Sequence, residues 1–506
     1  MTLLDSFIEG VGLILTPTTL LLIAVGVVAG IILGATPGIG PVPGIALALP
    51  LTLGLQTWEA LSLLFAIYVG GMYGGAVSAI LLNVPGTAGA IASTFDGYPF
   101  SLRGEAKYAI QISVIASSVG TILASLLLIV SVPILVPTIA LFGTPEYALV
   151  AIFGLTIIPL ITQYSMGKAL LMGSFGVLLS TIGMPPSSAT QRYTMGIIDL
   201  SDGLEFVAVL LGIFAIAEMI KLSGYEGALS DSQSEKKNSE GTNKITALSD
   251  LIDRFVTIFI RNPITFIKSL LIAMIIGFIP AAGGAVSNIL AYGVEKATAK
   301  KSESFGTGDI RGVIASESAN SGTIPSALVP LLAFGIPGSP TAAVILGGML
   351  MHGLNPGPGL FEDSVHLSYA TFISIAIGGL FLLVIGLYSA TKMASFARME
   401  MTTLVPPVII LCVTGTYALS LSFVDVAILV VIGFFGYLMI KYNYSTVAFI
   451  LGIILGPVIE ENMLRSFQLG DVTIFVDAPL RILLVVLIAG SLVVPVMLSV
   501  YNYYSK

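Results

Sequence analysis

Two stretches of this chain interrupt apolar, membrane-length segments with the same Pro/Gly signature, and they lie in opposite halves of the sequence. The first half carries TPGIGP (36–41) followed by NVPGTAG (83–89); the second carries IPAAGG (279–284) followed by GIPGSPT (335–341). Pro37 and Pro85 are 48 residues apart, Pro280 and Pro337 are 57 apart, and the excess matches the polar loop AKKSESFGTGD of the second half. This is an internal repeat. Unwound backbone survives in hydrocarbon only where it lines a cavity, so paired interruptions point to a binding site near the bilayer midplane of a secondary transporter.

The medium follows from composition. Of 506 residues 56% are hydrophobic and 10% charged, the mean hydropathy is +1.01, and apolar runs of about 20 residues recur, the length needed to cross hydrocarbon. The chain reads as an all-α polytopic membrane protein. Its 55 Gly and 26 Pro suit membrane helices, where small residues permit close approach and neighbours re-satisfy broken backbone. The net charge of −7 gives no basis for nucleic-acid binding, and Cys412, the single cysteine, rules out an internal disulfide or a multi-cysteine metal site. The N-terminus has Asp5 and Glu9 without the basic residue a secretory signal carries.

The spacing of apolar runs predicts two repeats, each with a re-entrant hairpin and a broken transmembrane helix. The first repeat, 1–222, has a hairpin at 18–55, a broken helix at 61–99 and spans near 108–136, 138–158, 168–186 and 204–222. A polar linker, 223–262, follows. The second repeat, 263–506, has a hairpin at 264–295, a broken helix at 312–354 and spans near 369–390, 404–422, 425–440, 445–459 and 479–502.

Basic residues orient this drawing, because short cytoplasmic loops collect Lys and Arg. Arg103 and Lys107, Lys168, the linker residues Lys236, Lys237, Lys244 and Arg254, the loop residues Lys296, Lys300 and Lys301, then Lys392, Arg398, Lys441 and Lys506 all fall inside. The acidic loops with Asp199, Asp202 and Glu205 and with Glu362 and Asp363 fall outside. Arg192, Arg465 and Arg481 are exceptions, each near acidic residues. The basic loop follows the broken helix in the first half and the hairpin in the second, which predicts inverted repeats related by a two-fold axis in the membrane plane. The near match of GGAVSAIL (74–81) to GGAVSNIL (283–290) implies a competing offset of 209 instead of 243 to 252; it is read as two small-residue helix faces.

VPGT (84–87) and IPGS (336–339) end one half-helix and start another, with Thr87 or Ser339 placed to accept from the following N–H groups. The positive ends of two such half-helices make a place for carboxylates without a formal positive charge; ordinary kinks are the structural alternative. The candidate substrate-binding set is Gly86, Thr87, Gly338, Ser339 and Thr341 at the breaks, Gly38, Gly40, Gly283 and Gly284 at the hairpin tips, and the amides Asn83 and Asn288. ASESANSG (315–322) puts Glu317 and Asn320 on one helix face, and an ionisable residue inside a membrane segment is a candidate proton or cation site. Glu317, Asn320 and Ser321 are therefore the candidate ion-coupling set, with Na+ or H+ as the ion; helix anchoring by hydrogen bonds is the alternative. Asp96 in FDGYP reads as a helix-end turn. GTGD (306–309) matches an intramembrane aspartyl-protease pattern but sits in a polar loop without a Tyr-Asp partner, and His352 and His366 show no metal-ligand spacing, so neither an enzyme nor a cofactor or metal is expected.

At these residues the chain resembles the large membrane subunit of the tripartite tricarboxylate transporters, the TctA family. The resemblance covers essentially the whole chain through GATPGIGPVPG (34–44), YGGAVSAILLNVPGTAGA (73–90), FDGYP with RGEA (103–106), SESANSG, LAFGIPGSPTAAVILGGMLMHGLNPGP (332–358) and LGPVIEEN (455–462). Ser316 and Ser321 stand where the family pattern has Pro and a second Asn. The resemblance implies a secondary carboxylate transporter of the prokaryotic inner membrane, working with a small four-helix membrane subunit and an extracytoplasmic solute-binding protein. The residues by themselves leave open a stand-alone carboxylate exchanger and, from another class, a membrane-embedded enzyme.

Overall fold

The computed structural model describes residues 2–36, 40–161, 165–185, 190–223, 248–280, 282–299, 302–389 and 405–504. Pro37 and Gly38 of the first hairpin tip, the linker cations Lys236, Lys237 and Lys244, and Lys300, Lys301, Lys392, Arg398 and Lys506 lie outside them. The described residues form helices joined by short turns. Seven of these helices are long and apolar enough to cross a membrane, and an eighth follows if Phe255–Arg261 and Pro263–Gly277, bent by 78° at Asn262, count as one span.

Two interrupted helices lie at the centre. The first runs Thr57–Leu82, breaks, and resumes through a 3-10 turn, Ala88–Ala90, into Ile91–Leu102; the second runs Ile310–Phe334, breaks, and resumes as Pro340–Met351. Across its apolar window Thr57–Leu82 is 94% buried, against 33% for Phe423–Lys441, and Ile310–Phe334 is buried along nearly its whole length, so the interrupted helices form the core. Each interruption has a local cause. Asn83 and Gly335 adopt the left-handed conformation, φ 56° and 69°, which ends the first half-helix by turning its last N–H back to the preceding turn. Pro85 and Pro337 then cannot continue the helix.

Hairpins pack on these cores through glycine. The first descends as Pro17–Ala35 and returns as Pro41–Ala48; the second descends as Pro263–Gly277 and returns as Gly283–Thr298. Pro17–Ala35 lies along Thr57–Leu82 so closely that a methyl group on Gly34 would come within 2.8 Å of the Gly71 Cα. Backbone contact of this kind supplies the dispersion energy that holds membrane helices together, since hydrocarbon offers no hydrophobic drive between them.

The arms also cross between halves. Ile91–Leu102 packs on Gly283–Thr298 and Ile310–Phe334, while Pro340–Met351 packs on Pro41–Ala48 and Thr57–Leu82. Thr52 and Thr57, where the first interrupted helix begins, bond His352, where the second ends, Thr52 at 2.9 Å and Thr57 at 3.5 Å. Arg103, where the first ends, donates to the carbonyls of Thr307 (2.5 Å) and Gly308 (3.5 Å), where the second begins. The two interrupted helices therefore run in opposite directions.

Three features depart from the sequence reading. An amphipathic helix, Leu3–Ile14, precedes the first hairpin and packs on Val365–Ser389. The stretch read as linker contains a helix, Leu248–Arg261, while 224–247 lies outside the described residues. Ala106–Ile139 is one helix of 34 residues that continues through Pro133 and Pro137. The three exceptional arginines are ion-paired: Arg192 is bidentate to Glu460 at 2.9 and 3.0 Å, Arg465 meets Glu461, and Arg481 meets both Glu146 and Asp477.

Candidate functional site

The two breaks share one residue register. In the first, the Gly86 N–H donates to the Gly75 carbonyl at 3.1 Å; in the second, the Gly338 N–H donates to the Ala327 carbonyl at 3.2 Å. Both pairs are related by an offset of 252 residues. Under the hairpin offset of 243, Gly40 matches Gly283, and each tip glycine, at φ 65° and 52°, lies against the hydroxyl residue of its own break. A methyl on Gly40 would stand 3.6 Å from Thr87 Cγ2, and one on Gly283 would stand 3.1 Å from Ser339 Cβ. Only glycine takes such a backbone while leaving the break room to pass.

The two hydroxyls behave differently. Ser339 caps its half-helix by accepting from the Ala342 N–H at 3.1 Å, and its Oγ also bonds the Tyr68 hydroxyl at 2.9 Å. Thr341, in the next turn, is buried beside the same pair. Thr87 makes no cap: its Oγ1 is buried without a partner among the described residues, packed against Gly75. The cap on the first break comes from the other half, where Asn288 of the second hairpin accepts from the Ala92 N–H at 2.8 Å and donates to the Ser316 carbonyl at 3.2 Å. Asn83 is exposed and serves as the left-handed end of Thr57–Leu82.

Asn320 is the one amide of this group left uncompensated. It is fully buried, and neither its oxygen nor its nitrogen has a partner among the described residues. Its side chain lies against Gly89 in the first break and Gly284 at the second hairpin tip, with the Met72 methyl beside both glycines. Gly283–Thr298 has no side-chain cap at its N-terminus, and the turn Ala88–Ala90 of the first break is capped only beyond it, at Ala92, so the two meet at a bare amide. Applying the 252-residue offset to Asn320 gives Tyr68, the partner of Ser339. Each half thus sends one polar side chain to the break of the other half. Nothing local in an apolar helix marks Tyr68; only the repeat offset could have found it.

Glu317, one turn before Asn320, faces away from this junction toward Ala106–Ile139. Its carboxylate accepts from the hydroxyls of Ser93 and, at 3.0 Å, Ser117, and no part of the residue is exposed. Ser321 Oγ is buried without a partner among the described residues. Asp96 does more than close a turn. Its Oδ1 accepts three backbone N–H groups at 2.8 Å, from Gly306, Gly308 and Asp309, so the GTGD loop is a nest for a carboxylate of the other half.

A family model described as the tripartite tricarboxylate transporter TctA family matches residues 20–451. An uncharacterized 52.8 kDa protein in the TAR-I ttuC' 3'region of Agrobacterium vitis is 30% identical over 508 residues, covering 100% of this chain and 99% of its own length. An uncharacterized protein in the TAR-II ttuC' 3'region of the same organism is 31% identical over 208 residues, 41% of this chain and 86% of its own. No solved structure matches the chain. With its breaks, hairpins and full-length similarity, the chain belongs to the tripartite tricarboxylate transporter TctA family.

Proposed function

We propose that this protein is the large membrane subunit of a secondary transporter that imports small organic di- or tricarboxylates, driven by a cation or proton gradient. The observation that carries the reading is the buried, unpartnered Asn320 amide between the turn of the first break and the uncapped start of Gly283–Thr298. An unpaired amide costs free energy in a low-dielectric interior unless a ligand completes it. The N–H groups at the start of Gly283–Thr298 carry partial positive charge, and neither interrupted helix has a Lys or Arg except Arg311 at the very beginning of the second. An anion with oxygen acceptors is the ligand that such a junction suits. Tyr68 and Ser339, the counterpart pair, supply hydroxyls for a second carboxylate.

In this reading 1–222 and 263–506 are inverted repeats joined by a cytoplasmic linker, and the antiparallel course of the interrupted helices supports it. Alternating access then moves one half against the other around the junction. Uptake uses a small four-helix membrane subunit and an extracytoplasmic solute-binding protein, in the inner membrane of a prokaryote. The test is uptake of radiolabelled di- and tricarboxylates into right-side-out vesicles carrying this subunit with and without those partners. Accumulation above the outside concentration, dependent on the partners, is the expected result. Conversion of substrate without accumulation would mark an enzyme, and full-rate exchange without partners would mark a stand-alone exchanger.

A further inference from the structure

Ala106–Ile139 and Ile310–Phe334 run side by side in register, and the seam between them is polar where membrane helices are ordinarily apolar. Ser117 meets Glu317. One turn further, Gly120 presses on Ser318, where a methyl group would come within 2.9 Å of the Ser318 backbone, and then Ala124 meets Gly322. In this parallel register Thr121 follows Ser117 and Ser321 follows Glu317, each one turn along its own helix. The Thr121 and Ser321 hydroxyls are buried and have no partner among the described residues. Pro325 has no N–H to give, so the Ser321 carbonyl lacks the donor that the next helical turn would supply.

We propose that this seam holds one sodium ion, bound by the Glu317 carboxylate, the hydroxyls of Ser93, Ser117, Thr121 and Ser321, and the Ser321 carbonyl. All six ligands are hard oxygens, the donor type that suits an alkali cation. One carboxylate balances one positive charge, which fits a monovalent ion; divalent sites of all-oxygen type gather more carboxylates. The charged groups nearest this stretch are engaged elsewhere: Asp96 with the GTGD loop, Glu295 with Lys268 and Thr265, and Arg311 with Asp309. Tyr73, from Thr57–Leu82, is the further titratable group that faces Glu317. The proposal rests on the transport reading above and names its coupling ion.

The experiment is carboxylate uptake by right-side-out vesicles containing the complete transporter, at equal pH on both sides, with NaCl replaced stepwise by choline chloride. Wild type should lose uptake in choline. Thr121→Val and Ser321→Ala should each raise the NaCl concentration for half-maximal uptake at least about tenfold, while Ser131→Ala, whose hydroxyl on the same helix bonds only the Leu127 carbonyl, should leave it unchanged. Glu317→Gln should abolish the sodium dependence, and if that variant fails to reach the membrane the two hydroxyl variants decide. Uptake that persists in choline and follows an imposed pH gradient, or unchanged sodium dependence in both hydroxyl variants, overturns the sodium site. Absence of carboxylate uptake by wild type under any gradient overturns the transport reading itself.

Discussion

Asn320 and Tyr68 occupy matching places at the two breaks but are satisfied to different degrees, Tyr68 by Ser339 and Asn320 by no partner among the described residues, and that difference sets what mutation should do. Removing a charge-assisted hydrogen bond costs about 1.5–3 kcal/mol, or roughly a 10- to 150-fold loss of apparent affinity. Asn320→Ala should therefore raise the substrate concentration for half-maximal uptake by that factor. Ser339→Ala should do the same and also weaken the helix cap it provides to Ala342. Tyr68→Phe and Ser339→Ala break one shared hydrogen bond, so the double variant should lose no more than the worse single one; additive losses would separate the two residues. Asn83→Gly keeps the left-handed helix end and should leave affinity within about threefold. Glu317, Asn320 and Ser339 were legible in the sequence because a polar residue in an apolar run is conspicuous. Asn288 as the cap of a helix in the other half was not, because no local pattern announces a partner 196 residues away.

At the scale of elements, breaks and hairpins were readable because Pro and left-handed Gly or Asn leave few other backbone solutions in hydrocarbon. Leu3–Ile14 and Leu248–Arg261 escaped notice since their acidic or basic faces mimic loops, although the Thr2–Asp5 capping box signals the first. The GTGD loop read as a protease look-alike, and it proves to be the mount of the second interrupted helix. Gly306 and Gly308, at φ 89° and 103°, turn three N–H groups onto Asp96. Beside it, burial pushes the Asp309 carboxyl up, but bonds from Arg311 and Ser304 outweigh this and hold it below its ordinary value. A lowered carboxyl value contributes stability above the ordinary range that is lost only as pH falls through the lowered one, so this mount is unaffected between neutrality and pH 5. Asp96→Ala leaves three donors without their acceptor and should cost about 2–3 kcal/mol, seen as a lower melting temperature in detergent and faster tryptic cleavage near 300–311. Asp96→Asn retains an acceptor oxygen without the charge and should fall between. A loop equally resistant in all three proteins would remove Asp96 from this role.

For the whole molecule, the cytoplasmic side proposed for the basic loops is open to test. Basic residues gather in loop 100–107 and in 296–305, the pattern of cytoplasmic loops. Arg103 reaches across to Thr307 and Gly308, which puts those two loops on one face whatever that face is. The opposite face carries His352 against Thr52 and Thr57, together with a cleft of about 500 Å³ lined by Asp199, Asp202, Glu205 and Asp425. Leu350 and Met351, at the end of the second interrupted helix, line the same cleft, which places it on the face opposite Arg103. Cys412 is buried, and a Cys412→Ala background leaves single introduced cysteines as the reporters. Cysteines at Leu102 and Thr298 should resist an impermeant thiol reagent applied to intact cells and react once the membrane is permeabilised. A cysteine at Asp202 should react directly. If Leu102 and Thr298 report opposite sides, the antiparallel arrangement of the interrupted helices is wrong; if both react from outside while Asp202 is protected, the arrangement stands but the molecule faces the other way.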